Sequence, residues 1–553
     1  MRIPALTFLL ASSATPFGAD GFVVLGQHTS NYGLGSLFDE ESQKMVTSGV
    51  SFKNNVVDLT LEGQTDTDCY ISVGDIRGFN NRLFESPQLC LYPSIFPRNK
   101  SPGIPQAVVT GIEGHQATLF SMDYFGDYDD TEISNPINLP YATFPVQSAT
   151  DPMGGVYVAL HPTGGKIIQP RQEGISELQA ILDYLDTMFS ASKSVVESPT
   201  IMKFNVTSGA IVWENILTTT NGRSTIAAVQ YLESVNKVVV AGSSTGKGSY
   251  VGAGVSSTGD WDGYITLLDA DSGFIDDTKG SETHLVADHS IRIQSQPSQD
   301  DFILGSCAQH EKIYILGKTT GKIDGDEFGG GFILKIDSDT LNILWRRQIV
   351  GMGVDATFCV ADDDVVYVGG QVPAGINVDD PTKTFVSDNQ DIWIAKVEDV
   401  SGDIGWIRQI DSRREDRLSG LSINQLGNVM LNGNAMDIEE GNCEIIIMSI
   451  DRAEGFHDWQ NFTKAMDPFG IIKSDTDIVI SSPPKEDESK KTTIIVVVVL
   501  LPVFLLLLVL AYILLYKSSP PAPSDGELKE TYNEEKPHDK NDALGGAMET
   551  GFV

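Results

Sequence analysis

A repeat of about 60 residues constrains the fold of this chain more than any other feature. Five segments align without a gap, and each begins with a strand-like apolar run that ends at an acidic or amide residue. These end residues are Asn205, Asp269, Asp337, Glu398 and Asp451, and the anchor positions four residues later are Gly209, Gly273, Leu341, Gly402 and Gly455. A tryptophan follows the anchor by four positions in four of the five copies. Such self-similarity indicates one supersecondary unit used several times.

A second apolar run that ends at glycine recurs between these segments. Its four copies are Val238–Gly242, Ile313–Gly317, Val366–Gly370 and Val429–Gly433. Successive anchors lie 64, 68, 61 and 53 residues apart, enough for a four-stranded sheet with its loops. A sheet with two apolar faces must stack on neighbours, and a ring of sheets achieves this. We therefore predict an all-β fold, a β-propeller of about seven to eight blades over residues 15–480; an open solenoid is the alternative.

The clear repeats cover residues 200–460, and residues 20–195 carry fainter strand patterns that we expect to supply the remaining blades. One stretch instead has apolar residues at helical spacing, with a capping-box pair at Ser176 and Gln179. Its apolar residues are Ile175, Leu178, Ile181, Leu182, Leu185, Met188 and Phe189. We predict an inserted amphipathic helix over residues 175–190 that packs on the propeller itself; binding of a partner is the alternative.

The repeat pattern resembles a known family. A strand followed by Asp-x-x-Ser/Thr-Gly-x-x-x-Trp, and then by Val-Tyr-Val-x-Gly, is similar to the β-propeller repeats of bacterial-type surface proteins and, more loosely, to quinoprotein-like propellers. The resemblance covers about residues 200–460. It implies the architecture alone, because propellers host many unrelated activities.

The two ends of the chain carry targeting patterns. Residues 1–14 have the pattern of a secretory signal peptide. The run Ile494–Tyr516 is apolar throughout and long enough to cross a bilayer as a helix. We predict a type I single-pass protein of the plasma membrane or cell surface, with an extracellular propeller over 15–480, a juxtamembrane linker over 481–493, a transmembrane helix over 494–516 and a disordered cytoplasmic tail over 517–553.

The formal net charge is −37, and almost all of it falls in the predicted extracellular part. Such acidity disfavours nucleic acid and anionic lipid surfaces as partners. Calcium is the candidate cofactor, because it binds several hard oxygen ligands. The candidate ligands are Asp123, Asp127, Asp129 and Asp130 in one cluster and Asp362, Asp363 and Asp364 in another. The repeated acids from Asn205 to Asp451 are better explained as turn residues that accept backbone hydrogen bonds.

Five cysteines in an exported domain predict disulfides. Cys69 and Cys90 are the expected pair. Cys307 and Cys359 occupy equivalent positions in consecutive blades, and packed sheets lie about 10 Å apart, so we expect these two as small core residues without a bond between them. Cys443 has no evident partner.

Three glycosylation sequons fall in the predicted extracellular part, at Asn99, Asn205 and Asn461. The expected product is therefore a glycoprotein. Asn205 is also one of the residues that end the repeated strand-like runs.

No catalytic constellation emerges from the sequence. Its single Gly-x-Ser-x-Gly, Gly242–Gly246, matches Gly317–Gly321 of the next copy and is predicted to be a turn. The leading hypothesis is a non-catalytic surface protein that binds an extracellular protein or glycan ligand, or acts in adhesion. An extracellular enzyme, quinoprotein-like or glycan-acting, and a structural coat protein are the alternatives. We expect binding through the insertions Ser243–Trp261, Thr278–Asp300 and Gln371–Asp391 and the helix at 175–190.

Overall fold

A computed structural model describes part of the chain between residues 21 and 453, all of it within the compact unit Met1–Ile478. The described ranges are 21–25, 30–39, 42, 44–52, 67–75, 78–84, 89–97, 100–113, 116–124, 131–133, 137–139, 143–162, 199–219, 222–246, 260–275, 290–295, 299–324, 328–378, 388–424, 427–437 and 442–453. Within these ranges the chain forms strands and turns and no helix.

The strands form seven antiparallel sheets, so the architecture is an all-β, seven-bladed propeller, as the repeat predicts. Blade 1 contains β2 (Ser30–Asp39), β3 (Lys44–Phe52), β4 (Thr67–Asp75) and β5 (Gly78–Phe84). Blade 2 contains β6 (Leu89–Ile95), β7 (Ala107–Glu113), β8 (Gln116–Tyr124), β9 (Thr131–Ile133) and β10 (Ile137–Asn138). Blade 3 contains β11 (Thr143–Thr150), β12 (Gly155–Pro162), β13 (Thr200–Asn205) and β14 (Ile211–Ile216).

The remaining blades carry the clear repeats. Blade 4 contains β15 (Ser224–Leu232), β16 (Lys237–Ser244), β17 (Asp262–Asp269) and β18 (Ser290–Ile293). Blade 5 contains β19 (Asp301–Gln309), β20 (Lys312–Thr319), β21 (Gly330–Asp337) and β22 (Ile343–Val350). Blade 6 contains β23 (Phe358–Asp362), β24 (Val365–Val372), β25 (Asp391–Glu398) and β26 (Ile404–Ile410).

Blade 7 closes the ring with strands from both ends of the propeller. It contains β27 (Glu415–Ile423), β28 (Val429–Asp437), β29 (Asn442–Ile450) and the N-terminal strand β1 (Gly21–Leu25). β1 pairs antiparallel with β29, in a register that places Gly21 opposite Ser449. Closure therefore joins segments more than 400 residues apart in the sequence.

The antiparallel topology gives each blade two distinct ends. The lower end is defined here as the end where the first strand connects to the second and the third strand connects to the fourth. The upper end has the connections between second and third strands and from each fourth strand to the next blade. Of the predicted binding insertions, Ser243–Trp261 and Gln371–Asp391 lie between second and third strands and leave from the upper end. The third, Thr278–Asp300, contains β18, the fourth strand of blade 4, and its residues before β18 leave from the lower end.

At the lower end, a turn after the third strand repeats from blade to blade. The Oδ1 atom of Asp269 accepts hydrogen bonds from the Ser272 amide at 2.8 Å and the Ser272 hydroxyl at 2.8 Å. Asp337 contacts Thr340 in the same way, at 2.9 and 2.7 Å. The turn interpretation is thus confirmed for Asp269 and Asp337, whereas the Glu398 carboxylate lies 3.4 Å from the Lys396 ammonium.

Repeated tryptophans join blades 3, 5 and 6 to the blade that follows each of them. The indole Nε1 atoms of Trp213, Trp345 and Trp406 donate to the carbonyl oxygens of Ala270, Asp399 and Arg452 in the following blade, at 3.0, 2.7 and 3.3 Å. All three tryptophans are at most 9% exposed. Gly273, in the left-handed region at φ 75°, lies against Trp213, and a Cβ atom there would stand 2.5 Å from the indole ring. The tryptophan and glycine of the repeat therefore recur together because they form one interblade contact.

Several predicted segments lie outside the described residues: the signal peptide, the helix at 175–190, the linker, the transmembrane helix at 494–516 and the tail. In the part of the chain that the structure describes, no helix is long and apolar enough to span a membrane.

Candidate functional site

The first strands of the seven blades surround a central channel with a cavity of about 950 Å³. Most of the lining side chains are uncharged. Each blade contributes to the wall, for example through Leu34, Tyr92, Val146, Ala227, Leu304, Phe358 and Leu421. The charged side chains and the histidine of the lining are His161, Lys318, Asp355, Asp362 and Arg417. The channel thus has walls of mixed polarity with few charged groups.

Lys318, Asp355 and Arg417 gather at the upper mouth of the channel. The Asp355 carboxylate accepts a hydrogen bond from the Gln371 amide at 2.9 Å, and the Asp355 carbonyl accepts one from the Trp393 indole at 2.8 Å. Burial raises the pKa of Asp355 to about 6, and the Gln371 amide, Lys318 and Arg417 oppose that rise. Asp355 therefore changes charge in the mildly acidic range.

A group of three carboxylates lies at the upper end between blades 6 and 7. Oxygen atoms of Asp391, Asp411 and Asp416 all lie within 4.8 Å of one another, and the residues that the structure describes contain no second group of this kind. The pKa of Asp416 is raised well above its ordinary value, mainly by burial and secondly by the negative charge of Asp391. Burial also raises the pKa of Asp411. Three such acids in this space hold protons or a cation.

This group could not be found from the sequence. Asp391 and Asp416 belong to different blades, and the closure of adjacent blades brings them together. Asp391 and Asp416 are both fully buried, so that only Asp411 retains partial exposure. Gln409 donates to Asp391 at 2.7 Å, and the Ser412 amide donates to Asp416 at 2.7 Å.

The predicted calcium ligands have other contacts where the structure describes them. Asp123 lies on β8 and accepts a hydrogen bond from the Gln106 amide at 2.9 Å. Asp362 pairs with Arg452 at 2.6 Å, and Asp363 lies 3.8 Å from His310. The third acid of that run, Asp364, shares their lower-end turn. Asp127, Asp129 and Asp130 lie outside the described residues, so a cation site there stays a prediction.

The structure brings two pairs of cysteines together. Cys69 on β4 and Cys90 on β6 form a disulfide with a Cα–Cα distance of 5.0 Å. Cys307 and Cys359 form a second one, with a Cα–Cα distance of 5.6 Å, so our expectation of two unbonded core residues is wrong. The error lies in the spacing: both cysteines are on first strands, β19 and β23, and first strands converge on the channel, where neighbouring blades are closer than sheets packed face to face. Cys443 is a buried free thiol.

Of the three sequons, only Asn205 falls in the described residues. It ends β13, and its Oδ1 atom accepts hydrogen bonds from the Ser208 amide at 2.9 Å and the Thr207 amide at 3.1 Å. Asn99 and Asn461 lie outside the described part. Glycosylation at all three positions stays a prediction.

The Gly-x-Ser-x-Gly stretch forms the end of β16 and the turn after it. The Ser244 hydroxyl donates to the Arg223 carbonyl at 2.9 Å, and the Ser243 hydroxyl accepts from the Ile303 amide at 2.8 Å. Both serines therefore have structural partners in and between blades, as expected of a turn.

Two large apolar side chains stand exposed at the upper end of blade 5. Phe328 is 53% exposed and Met352 is 67% exposed. A Cβ atom on Gly329, the residue after Phe328, would stand 3.4 Å from the Met352 sulfur, so Met352 lies against the chain next to Phe328. The Lys322 ammonium lies 4.4 Å from the centre of the Phe328 ring. Sequence reasoning missed this pair because neither residue belongs to a periodic pattern.

Comparisons with known proteins support the β-propeller fold and nothing further. No known family profile matches the chain, and no curated protein matches its sequence. Among solved structures it is similar to the WD40 β-propeller domain of Doa1, with 10% identity, 78% of this chain and 98% of that one covered, and a TM-score of 0.40. The β-propeller domain of the Trilobed protease from Pyrococcus furiosus gives 12% identity, 73% and 89% coverage and a TM-score of 0.35. BamB from Moraxella catarrhalis gives 11% identity, 73% and 98% coverage and a TM-score of 0.32.

Proposed function

We propose that this chain is a single-pass cell-surface protein whose propeller binds an extracellular protein through the upper end of blades 5 and 6. The observation that carries the proposal is the exposed pair Phe328 and Met352 at the upper end of blade 5. Large apolar side chains exposed together are typical of binding surfaces, because their burial against a partner is favourable. A rigid ring with variable loops is a common scaffold for protein interactions.

The backbone under this pair is well fixed. The Gln348 side chain accepts a hydrogen bond from the Ile323 amide at 2.8 Å and donates to the Gly329 carbonyl at 3.0 Å. The Gly329 amide in turn donates to the Gly321 carbonyl at 2.9 Å. A surface that is ordered before binding loses less conformational entropy when it binds, which favours affinity.

Placement at the cell surface rests on the apolar run at 494–516 and the signal-like start. The two disulfides support it, since disulfides persist in oxidising compartments. The repeat residues remain the support for kinship with bacterial-type surface propellers. A glycan ligand, glycosylation and calcium binding belong to the same proposal; for calcium, a rise in melting temperature on adding calcium chloride is the expected sign.

An enzyme that acts on glycans keeps one observation in its favour, the close carboxylates Asp391, Asp411 and Asp416. Glycoside hydrolysis uses two carboxyl groups that both reach the substrate. Asp391 and Asp416 are fully buried, which leaves Asp411 as the one partly exposed member. A binding role therefore fits the geometry better.

Location and binding are tested separately. Protease added outside intact cells should digest the propeller and leave a protected fragment that contains residues 494–553; survival of the propeller would refute the orientation. For binding, proximity labelling on intact cells should identify proteins that lose their label when Phe328 and Met352 are both changed to Ser. The matched control changes the exposed Val400 and Leu344 to Ser, away from the channel mouth. Equal labelling by both variants would refute the upper surface.

The insertion between β24 and β25 is tested by deletion. Excision of Gln371–Val386 would remove the last residues of β24 and the buried Val378, whose amide donates to Gln409 at 3.1 Å. A deletion of residues 379–387 alone spares both, so it tests the loop without damaging the blade. Loss of binding with an unchanged melting temperature is the expected result.

A further inference from the structure

Three apolar side chains of the outer strand of blade 3 are exposed. Leu344 of blade 5 and Ile404 of blade 6 are exposed at matching positions, but Ile216 has no exposed apolar counterpart there. On β14, Ile211, Val212 and Ile216 are 44%, 51% and 50% exposed. The outer edge of the preceding blade has only two short strands, β9 with three residues and β10 with two, so it covers little of this face. We call Ile211, Val212 and Ile216 the β14 patch.

The repeat shows what normally occupies this place. Ile216 follows Trp213 by three positions, and the residues that follow Trp345 and Trp406 by three are Gln348 and Gln409. Gln348 and Gln409 are 9% and 4% exposed. Their burial comes from contacts with the connection between the second and third strands of their own blade.

Those contacts are the same in blades 5 and 6. Gln348 accepts from the Ile323 amide at 2.8 Å, and Gln409 accepts from the Val378 amide at 3.1 Å. Ile323 and Val378, which are 7% and 8% exposed, bring an apolar side chain into the interior beside each glutamine. In both blades the connection therefore folds over the upper end of the fourth strand.

In blade 3 the matched connection is residues 163–198, which carry the apolar stripe at 175–190. It rejoins the fold beside the patch, because Thr200 pairs with Ile216 and the Pro199 carbonyl accepts from the Leu217 amide at 2.8 Å. Ile216 stands where blades 5 and 6 have a buried glutamine. Its side chain cannot hydrogen-bond to a backbone amide, so it is suited to an apolar partner. A helix of 15 residues is about 22 Å long and a six-residue strand about 20 Å, so the stripe matches the strand in length.

We propose that the β14 patch is the docking surface for residues 175–190 of the same chain, whose apolar stripe covers Val212 and Ile216. The occupant is intramolecular because the chain supplies an apolar segment of the right length, tethered beside the patch. A second copy of the chain and an extracellular partner are the competing occupants. This proposal is independent of the partner-binding surface at Phe328.

The test uses the full-length chain in detergent, with Ile216 replaced by the photocrosslinking amino acid p-benzoylphenylalanine. Illumination should link position 216 to the tryptic peptide between Arg171 and Lys193 of the same chain. The same replacement at Leu344, exposed on β22, is the control and should not label that peptide. A crosslink between two chains, a crosslink to another protein or the absence of any crosslink to residues 172–193 would each overturn the proposal.

A second variant tests the apolar stripe itself. Changing both Leu182 and Leu185 to Asp should abolish the crosslink and raise the rate of trypsin cleavage after Arg171 and Lys193 by about tenfold or more, because cleavage follows the open population. Asp183→Asn, on the polar side of the stripe, should change neither. Unchanged crosslinking in the leucine variant would show that the stripe does not contact the patch and would refute the proposal.

Discussion

At their lower ends the blades repeat one set of contacts, whereas at their upper ends the same blades differ. The lower end has the tryptophan that donates to the next blade, and carboxylates with basic or hydroxyl partners. Burial opposes ionisation of Asp399, but hydrogen bonds from Lys312, Lys335 and Tyr314 lower its pKa. At the upper end, burial raises the pKa of Asp301 and of Asp355 to about 6. One end thus stabilises the ring, while the other tolerates costly buried charge.

This contrast is what a scaffold with a separate binding surface requires. A position repeated in every blade cannot form a unique site, and a unique site need not stabilise the fold. Substitutions at the two ends should therefore differ in what they change.

The largest expected effect is at the lower end. Trp345→Ala should lower the free energy of unfolding by about 4 kcal/mol, because it removes a buried indole and its hydrogen bond to the Asp399 carbonyl. Urea denaturation measures the effect. Leu344→Ala, at a neighbouring exposed position, is the control and should cost less than about 0.5 kcal/mol. Equal losses would mean that Trp345 is not an interblade contact.

The channel disulfide should have the next largest effect. Changing Cys307 and Cys359 to Ser should lower stability by about 3 kcal/mol, since the bond closes a loop across a separation of 52 residues. Differential scanning calorimetry under non-reducing conditions is the measurement. A melting temperature unchanged from that of the parent protein would show that the two thiols are not bonded.

The two ends should respond to pH in opposite directions. The raised pKa of Asp301 means that its contribution to stability is full below about pH 4 and is lost as the pH rises through about 6. The free energy of unfolding of Asp301→Asn, minus that of the parent protein, should therefore rise by about 2 kcal/mol as the pH is raised from 4 to 7.5. Asp399 has a lowered pKa, so its contribution is present at neutral pH and is lost as the pH falls through that lowered value. Asp399→Asn should accordingly be most destabilising at neutral pH; parallel pH profiles for the two variants would remove the electrostatic contrast.

The smallest expected effect on stability is at the proposed binding surface. Phe328→Ser with Met352→Ser should change the free energy of unfolding by less than about 0.5 kcal/mol, because both side chains are largely exposed. Thermal unfolding of the double variant measures this. A loss of several kcal/mol would place these side chains among the contacts that hold the ring.

What the sequence reveals follows the same division. The tryptophans, the left-handed turn positions and the second and third strands repeat, so periodicity finds them. The first strands lack a shared marker, and the disulfide between β19 and β23 was therefore excluded on a spacing that does not apply near the channel. The carboxylates Asp391, Asp411 and Asp416 come together only when blades 6 and 7 pack, and no spacing along the chain indicates that.

The pairing of β1 with β29 has a consequence for synthesis. Gly21 finds its place opposite Ser449, so the outer strand of blade 7 cannot pair until some 420 further residues have been made. At about 5–20 residues per second, the ribosome takes on the order of 20–90 seconds over that stretch. During this interval the earliest strand has no native partner while most of the blades are already available to fold. The protein thus acquires its circular form only after β29 has been made, and truncation anywhere before β29 yields an open array of blades.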